Sequence, residues 1–133
     1  MLLVHPGGPF WKKRDDGAWS IPKGEIADGE RAIDVARREF REELGVAAPA
    51  GDLAPLGSVR QPGGKLVHAW AVRGEVDVAR LSSNTFEMEW PPRSGRRQQF
   101  PEVDRAEWFD LELARRKILT GQRPFLDRLE QLR

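Results

Sequence analysis

Ile33, Ala36, Phe40 and Leu44 recur three and four residues apart, the apolar stripe of a helix running from about Glu30 to Leu44. Asp28 stands where an N-cap belongs, and Gly45 where a left-handed turn ends a helix. Shorter patterns surround it. Leu2-Leu3-Val4 reads as a strand, stopped by His5-Pro6-Gly7-Gly8-Pro9. Ala18 to Ile21 reads as another, closed by Pro22. Leu56 to Arg60 and Lys65 to Val76 flank the turn Gln61-Pro62-Gly63-Gly64 and predict a hairpin, with Gly74 as a bulge. Thr85 to Trp90 alternates apolar and acidic residues, as a half-buried strand or extended segment does. Pro91-Pro92 ends it, and Arg93 to Gln99 reads as a basic polar loop. Ala106 to Phe109 is the last strand. Asp110 caps a helix to about Thr120, and Pro124 opens a final helix through Leu132. Strands before, between and after helices predict an α+β domain, a mixed sheet flanked by helices.

Composition narrows the class. The 133 residues suit one compact domain, and no shift in composition marks a linker, so residues 1–133 read as a single domain. With 39% hydrophobic and 32% charged residues the chain is globular rather than disordered. No apolar run approaches the roughly 18 residues that cross a bilayer. The start, MLLVHPGG, lacks the basic flank and length of a signal peptide. A net charge of +1 gives no field for general nucleic-acid binding. The absence of cysteine excludes disulfides and thiolate chemistry, and fits a reducing, cytoplasmic compartment.

Charge then changes the reading of the first helix. Glu39, Glu42 and Glu43 lie three and four residues apart, off the apolar stripe and on one face, with Arg38 four residues before Glu42. Clustered carboxylates repel, and a hard divalent cation relieves that repulsion. Magnesium (Mg2+), with manganese (Mn2+) as a substitute, suits such oxygen donors and links them to phosphate oxygens. The plain alternative is a solvated face stitched by pairs such as Arg38 with Glu42.

The offsets decide between them. Gly24, Glu30 after five intervening residues, then Arg38-Glu39-Phe40-Arg41-Glu42-Glu43-Leu44-Gly45-Val46 after seven more resemble the Nudix box, G-x5-E-x7-R-E-U-x-E-E-x-G-U with U a bulky apolar residue. Every fixed position is matched, with an aromatic at the first U. The resemblance implies an α/β/α sandwich of the Nudix fold. It implies metal-dependent hydrolysis of a diphosphate linkage in a nucleoside diphosphate derivative. In the family the positions matching Glu39, Glu42 and Glu43 hold metal or handle the attacking water. The one matching Arg38 orients the glutamates, the one matching Glu30 supports the site or its loop, and the glycine matching Gly24 offers its carbonyl to the metal.

The flanks bear on the substrate. Trp19-Ser20-Ile21-Pro22-Lys23-Gly24 is similar to the lead-in of diadenosine polyphosphate hydrolases and some diphosphoinositol polyphosphate hydrolases of the same superfamily. Lys23 can meet a phosphate as a point charge or simply face solvent. Trp19 can stack on a base or, the better reading, pack in its strand. Arg93, Arg96 and Arg97 near Trp90 can form a phosphate-and-base clamp or a solvated loop. Superfamily members often use a downstream glutamate as base or ligand, and Glu87, Glu89, Glu102 and Glu107 are candidates. Glu102 is preferred, because loops beyond strand ends carry active groups, and Glu42 within the box is the first choice of base. Members of this fold usually carry a strand before the one Leu2-Leu3-Val4 matches, which predicts either residues before Met1 or an edge covered by a second copy in a homodimer. The alternatives to a dinucleoside polyphosphate hydrolase are a MutT-like nucleoside triphosphatase, an ADP-ribose or sugar-nucleotide pyrophosphatase, and a non-catalytic nucleotide sensor.

Overall fold

The computed structural model describes residues 1–23 and 29–132, so Gly24 and the expected cap Asp28 lie outside the described residues. Six strands and three helices follow in the order β1 (Leu2–Pro6), α1 (Ala32–Leu44), β2 (Ala54–Arg60), β3 (Leu66–Ala71), β4 (Thr85–Glu89), β5 (Arg97–Pro101), β6 (Val103–Trp108), α2 (Leu111–Lys117) and α3 (Arg123–Gln131). The strands form three antiparallel ladders, β1 with β6, β2 with β3 and β4 with β5. The architecture is α+β, and the parallel component among the described residues is one bridge, Trp19 to Ile118. No described helix is long and apolar enough to cross a membrane.

Several boundaries differ from the sequence expectation. Helix α1 starts at Ala32, with Arg31 as N-cap and no side-chain cap bond. Its predicted stripe is only part core. Leu44 and Val35 are buried, while Ile33, Ala36 and Phe40 line an apolar cavity of about 240 Å³ shared with Leu56, Trp70 and Trp108. Ala18 to Ile21 is no full strand. Ser20 exchanges two backbone hydrogen bonds with Val4, at 2.9 and 3.0 Å, and Trp19 bridges Ile118. These bonds also cover part of the β1 edge that the sequence left open. Strand β3 stops at Ala71, and Gly74 is no bulge. It lets the chain lie on Pro49, whose ring carbon would stand 2.2 Å from a Cβ there. The register shifts instead between Pro55 and Gly57, with Gly57 at φ +73°. The expected loop from Arg93 to Gln99 ends in β5, where Gln98 and Gln99 pair with Met88 and Glu87. Helix α2 is capped by Asp110, as expected, through a 2.8 Å bond from the Leu113 amide. It ends at Lys117 because β-branched Ile118 turns extended to meet Trp19.

Three apolar clusters hold the ladders together. Leu3, Trp19, Phe109, Ala114, Ile118 and Leu126 form the first. Val4, Leu44, Val103 and Ala106 form the second, under α1. Leu56, Val59, Ala69 and Phe125 form the third. Trp19 is 1% exposed, its indole edge-on to Phe109 and its Nε1 donating to Asp15 at 2.8 Å. This corrects Trp19 as a base-stacking candidate, because a buried ring has no face left for substrate.

Candidate active site

Helix α1 presents its carboxylates at its C-terminal end, where three clips fix it. Gly45 caps the helix at φ +78°, its amide bonded to the Arg41 carbonyl at 2.8 Å. A Cβ there would fall 2.6 Å from the Ser82 carbonyl oxygen, so glycine serves both the turn and the close approach of the next segment. That segment, residues 82 to 84, binds the helix end. The Ser82 amide donates to the Leu44 carbonyl at 3.3 Å and the Asn84 amide to the Glu42 carbonyl at 2.9 Å. The Asn84 carbonyl then accepts from the Glu102 amide at 2.8 Å, and the Ser83 hydroxyl accepts from the Val103 amide at 3.0 Å. Asn84 is thus a one-residue spacer between α1 and Glu102. The polar run Ser82-Ser83-Asn84 was the available signal, but only the fold shows which backbones it joins.

Arg38 lies among the acids. It pairs with Glu30, and its guanidinium stands 3.7 Å from Glu39 and 3.9 Å from Glu42. The Glu30 hydrogen bond is the main reason its pKa is raised. On the adjoining segment the Lys23 amide donates to the Glu43 Oε2 at 3.0 Å. Glu43 carries the most perturbed carboxyl. It is pushed up to about 8, by burial first, with the Lys23 amide and ammonium opposing the rise and Glu39 and Glu102 adding to it. Glu39 is also raised, by burial first, then by Glu42, with Glu102 adding to it. Glu102, four strands further along the chain, is a minor contributor to both shifts. Glu87 is instead paired with Arg97, and Glu89 accepts from the Gly95 amide.

The donor set fits a hard cation in its chemistry. Its side-chain donors are carboxylates, and Glu39 and Glu43 are raised by burial first, with neighbouring carboxylates adding to the rise. Among the described residues no three such groups converge closely enough to hold a metal by themselves. Magnesium does not require that, since it takes one or two carboxylates and completes its shell with water and phosphate oxygens. Arg96 stands apart from this cluster, exposed in the turn between β4 and β5, its carbonyl accepting from the Trp90 amide at 2.9 Å.

Comparison with known proteins gives the arrangement a context. The sequence matches the NUDIX domain over residues 1–129. It is 42% identical over 53 residues to an RNA pyrophosphohydrolase of Legionella pneumophila (strain Corby), covering 39% of this chain and 29% of that protein. It is 40% identical over 57 residues to an RNA pyrophosphohydrolase of Erythrobacter litoralis (strain HTCC2594), covering 40% of this chain and 35% of that protein. The chain thus matches about a third of the length of these curated relatives. The solution structure of the E. coli ORF135 protein superposes with a TM-score of 0.59 at 24% identity, over 98% of this chain and 79% of the other. The crystal structure of the MutT protein from Methanosarcina mazei Go1 gives 0.57 at 21%, over 98% and 83%. At these identities the two structures establish the fold.

Proposed function

Since the chain belongs to the NUDIX domain family, we propose that it is a divalent-metal-dependent pyrophosphohydrolase, and that it cuts a diphosphate linkage in a nucleoside diphosphate derivative such as a dinucleoside polyphosphate. Enzymes of this family generally use divalent metals, and magnesium, or manganese in its place, would be held by Glu39, Glu42, Glu43 and the Gly24 carbonyl. When bound, the cation neutralises phosphate charge and eases deprotonation of water. Glu42 takes the proton from the attacking water as its oxygen bonds to phosphorus and the bridging P–O bond breaks. Arg38 holds Glu39 and Glu42 in place. Glu102 adds a carboxylate from the facing loop, as a second proton acceptor or further ligand. Lys23 counters phosphate charge beside Glu43, and Arg96 offers a fork to the outer part of the substrate.

The observation that carries this reading is the cluster itself. The Asn84 backbone ties the Glu42 carbonyl of the helix to the Glu102 amide of a distant loop, at 2.9 and 2.8 Å, and Glu102 adds to the raised proton affinity of Glu39 and Glu43. A solvated helix face needs no fourth acid from a separate loop, so the cluster weighs against that plainer account. A second reading of the substrate draws on the relatives, whose name is RNA pyrophosphohydrolase, and gives the 5′-polyphosphate end of an RNA as the target.

The test is a panel assayed with magnesium and with chelator. It contains diadenosine tetraphosphate, ADP-ribose, nucleoside triphosphates and a 5′-triphosphorylated RNA. Turnover is expected only with the metal, and Glu42→Gln should lower kcat by about 10²–10⁴-fold without loss of fold. Wild-type turnover in that variant would overturn the assignment of the base. Tight nucleotide binding without hydrolysis anywhere in the panel would favour a sensor instead.

A further inference from the structure

Away from the carboxylates the surface carries aromatic and basic residues that the proposed chemistry leaves unused. Phe10, 62% exposed, meets Trp90 edge to face, with ring centroids 5.4 Å apart at 78°. The two rings come from different turns, one after β1 and one between β4 and β5. Trp90 is fixed by its backbone. Its amide donates to the Arg96 carbonyl at 2.9 Å, and its carbonyl accepts from the Gln98 side chain at 2.8 Å. Phe10 has no such anchor, and its ring lies mostly in solvent. Trp11 beside it is covered by the Arg14 guanidinium, 5.4 Å from its centroid.

The charges around these rings are sorted by sign. The acids are taken up. Asp15 and Asp16 pair with Lys117 and Arg116, Glu87 pairs with Arg97, and Glu89 accepts from the Gly95 amide. Among the described residues Lys12, Lys13, Arg93 and Arg96 have no ion-pair partner. They flank Phe10 and Trp90 in the same two turns. The surface therefore offers the exposed Phe10 ring and the half-buried Trp90 ring beside four unpaired basic side chains, which suits a nucleobase with its phosphate.

A short run of backbone links the patch to the Glu102 loop. The Gly7 amide donates to the Glu102 carbonyl at 2.9 Å, and a Cβ on Gly7 would lie 1.9 Å from the Pro101 carbonyl oxygen. A Cβ on Gly8 would meet the Phe86 ring at 3.0 Å. The turn thus leaves Glu102, crosses the β4–β5 hairpin and delivers Phe10 to Trp90. At most about 11 Å of extended chain separates Gly7 from Phe10.

We propose that Phe10 and Trp90, rimmed by Lys12, Lys13, Arg93 and Arg96, hold the second nucleotide unit of the substrate, the one beyond the diphosphate that is cut. The proposal rests on the hydrolase reading above and names the part of the substrate that reading leaves open. Two sources share this chemistry, the far nucleoside of a dinucleoside polyphosphate and the next nucleotide of a 5′-triphosphorylated RNA.

Equilibrium binding to the full chain in magnesium, followed by tryptophan fluorescence, tests it with three probes. These are diadenosine tetraphosphate, a 5′-triphosphorylated dinucleotide RNA and inorganic tripolyphosphate, which has no base. Phe10→Ala should weaken one or both nucleotide probes by about tenfold or more, as loss of one stacked base does. Tripolyphosphate should change less than about twofold, and Phe10→Trp should restore the nucleotide affinity. The probe that responds identifies the source. Equal weakening of all three probes, no weakening of any, or failure of Phe10→Trp to restore binding overturns the proposal. If no nucleotide is hydrolysed but the Phe10-dependent difference persists, the hydrolase reading falls and the nucleotide subsite stands.

Discussion

Glu43 ties stability to pH and, on the reading proposed above, to the cation. Its carboxyl titrates near 8 in the folded chain against an ordinary 4.5. Between those values the folded state holds a proton that the unfolded state has released. Stability contributed by this group is therefore fully present below about 4.5 and declines as the pH rises through 8. Burial is the main cause, so above that pH the metal-free protein carries a charge short of solvent. On the proposed reading, a cation held by Glu43 removes the penalty. Glu43→Gln keeps an oxygen for the Lys23 amide and removes the charge. We expect this variant to gain on the order of a few kcal/mol over wild type at pH 9 in chelator, to lose the advantage at pH 4, and to show little stabilisation by magnesium. Melting temperatures at the two pH values, with and without metal, check this. Matching pH profiles for the two proteins would show that Glu43 is not the group being shielded.

At the scale of elements, the segment from Ala18 to Lys23 connects the core to the cluster. Gln122, fully buried, accepts from the Ile21 amide at 3.1 Å, and Ile21 packs against both the Trp19 and the Phe125 clusters. Two residues later the Lys23 amide reaches Glu43. Gln122→Met keeps the volume but leaves the Ile21 amide without its acceptor, at a cost of about 1–3 kcal/mol. The variant should melt earlier and should lose affinity for magnesium, read by titration calorimetry. Unchanged metal affinity in a destabilised protein would mean that the segment braces the core alone. The same elements show what local sequence could tell. The spacing of Arg38, Glu39, Glu42 and Glu43 is set inside one helix, so it was legible. The final hairpin was half legible, because Arg97-Gln98-Gln99 is polar and becomes a strand only through pairing with β4. Packing was the better reading of Trp19 from its strand, but the residues that enclose it, Phe109 and Ile118, lie ninety or more positions away and only the fold shows them. The role of Asn84 was hidden for a related reason. Its role is carried by backbone atoms, which any residue type supplies.

For the whole molecule, cohesion rests on side chains. Among the described residues no ladder shares a strand with another, so the three pairs are joined by their apolar clusters and by the helices. Helix α3 is the main tie, since adjacent Phe125 and Leu126 enter different clusters and both are fully buried. Arg128 adds hydrogen bonds to the Leu56 and Ser58 carbonyls at 2.8 and 2.9 Å. Shortening Leu126 to alanine leaves a cavity beside Trp19, with an expected cost of about 2–5 kcal/mol. That is a large share of the roughly 5–15 kcal/mol that holds a domain folded. For a chain of this size it should lower the melting temperature by about 10 °C. Because Ile21 bridges the same two clusters, the loss should reach the active site as well. In Leu126→Ala, kcat should fall at temperatures where the protein is still folded, while Leu129→Ala, in the Phe125 cluster alone, should cost stability with a smaller effect on turnover. Tryptophan fluorescence and far-ultraviolet dichroism give the melting points, and initial rates at 15 °C give the turnover. If the two variants lose turnover in proportion to stability, the tie through α3 supports the fold in general and has no particular route to Glu43.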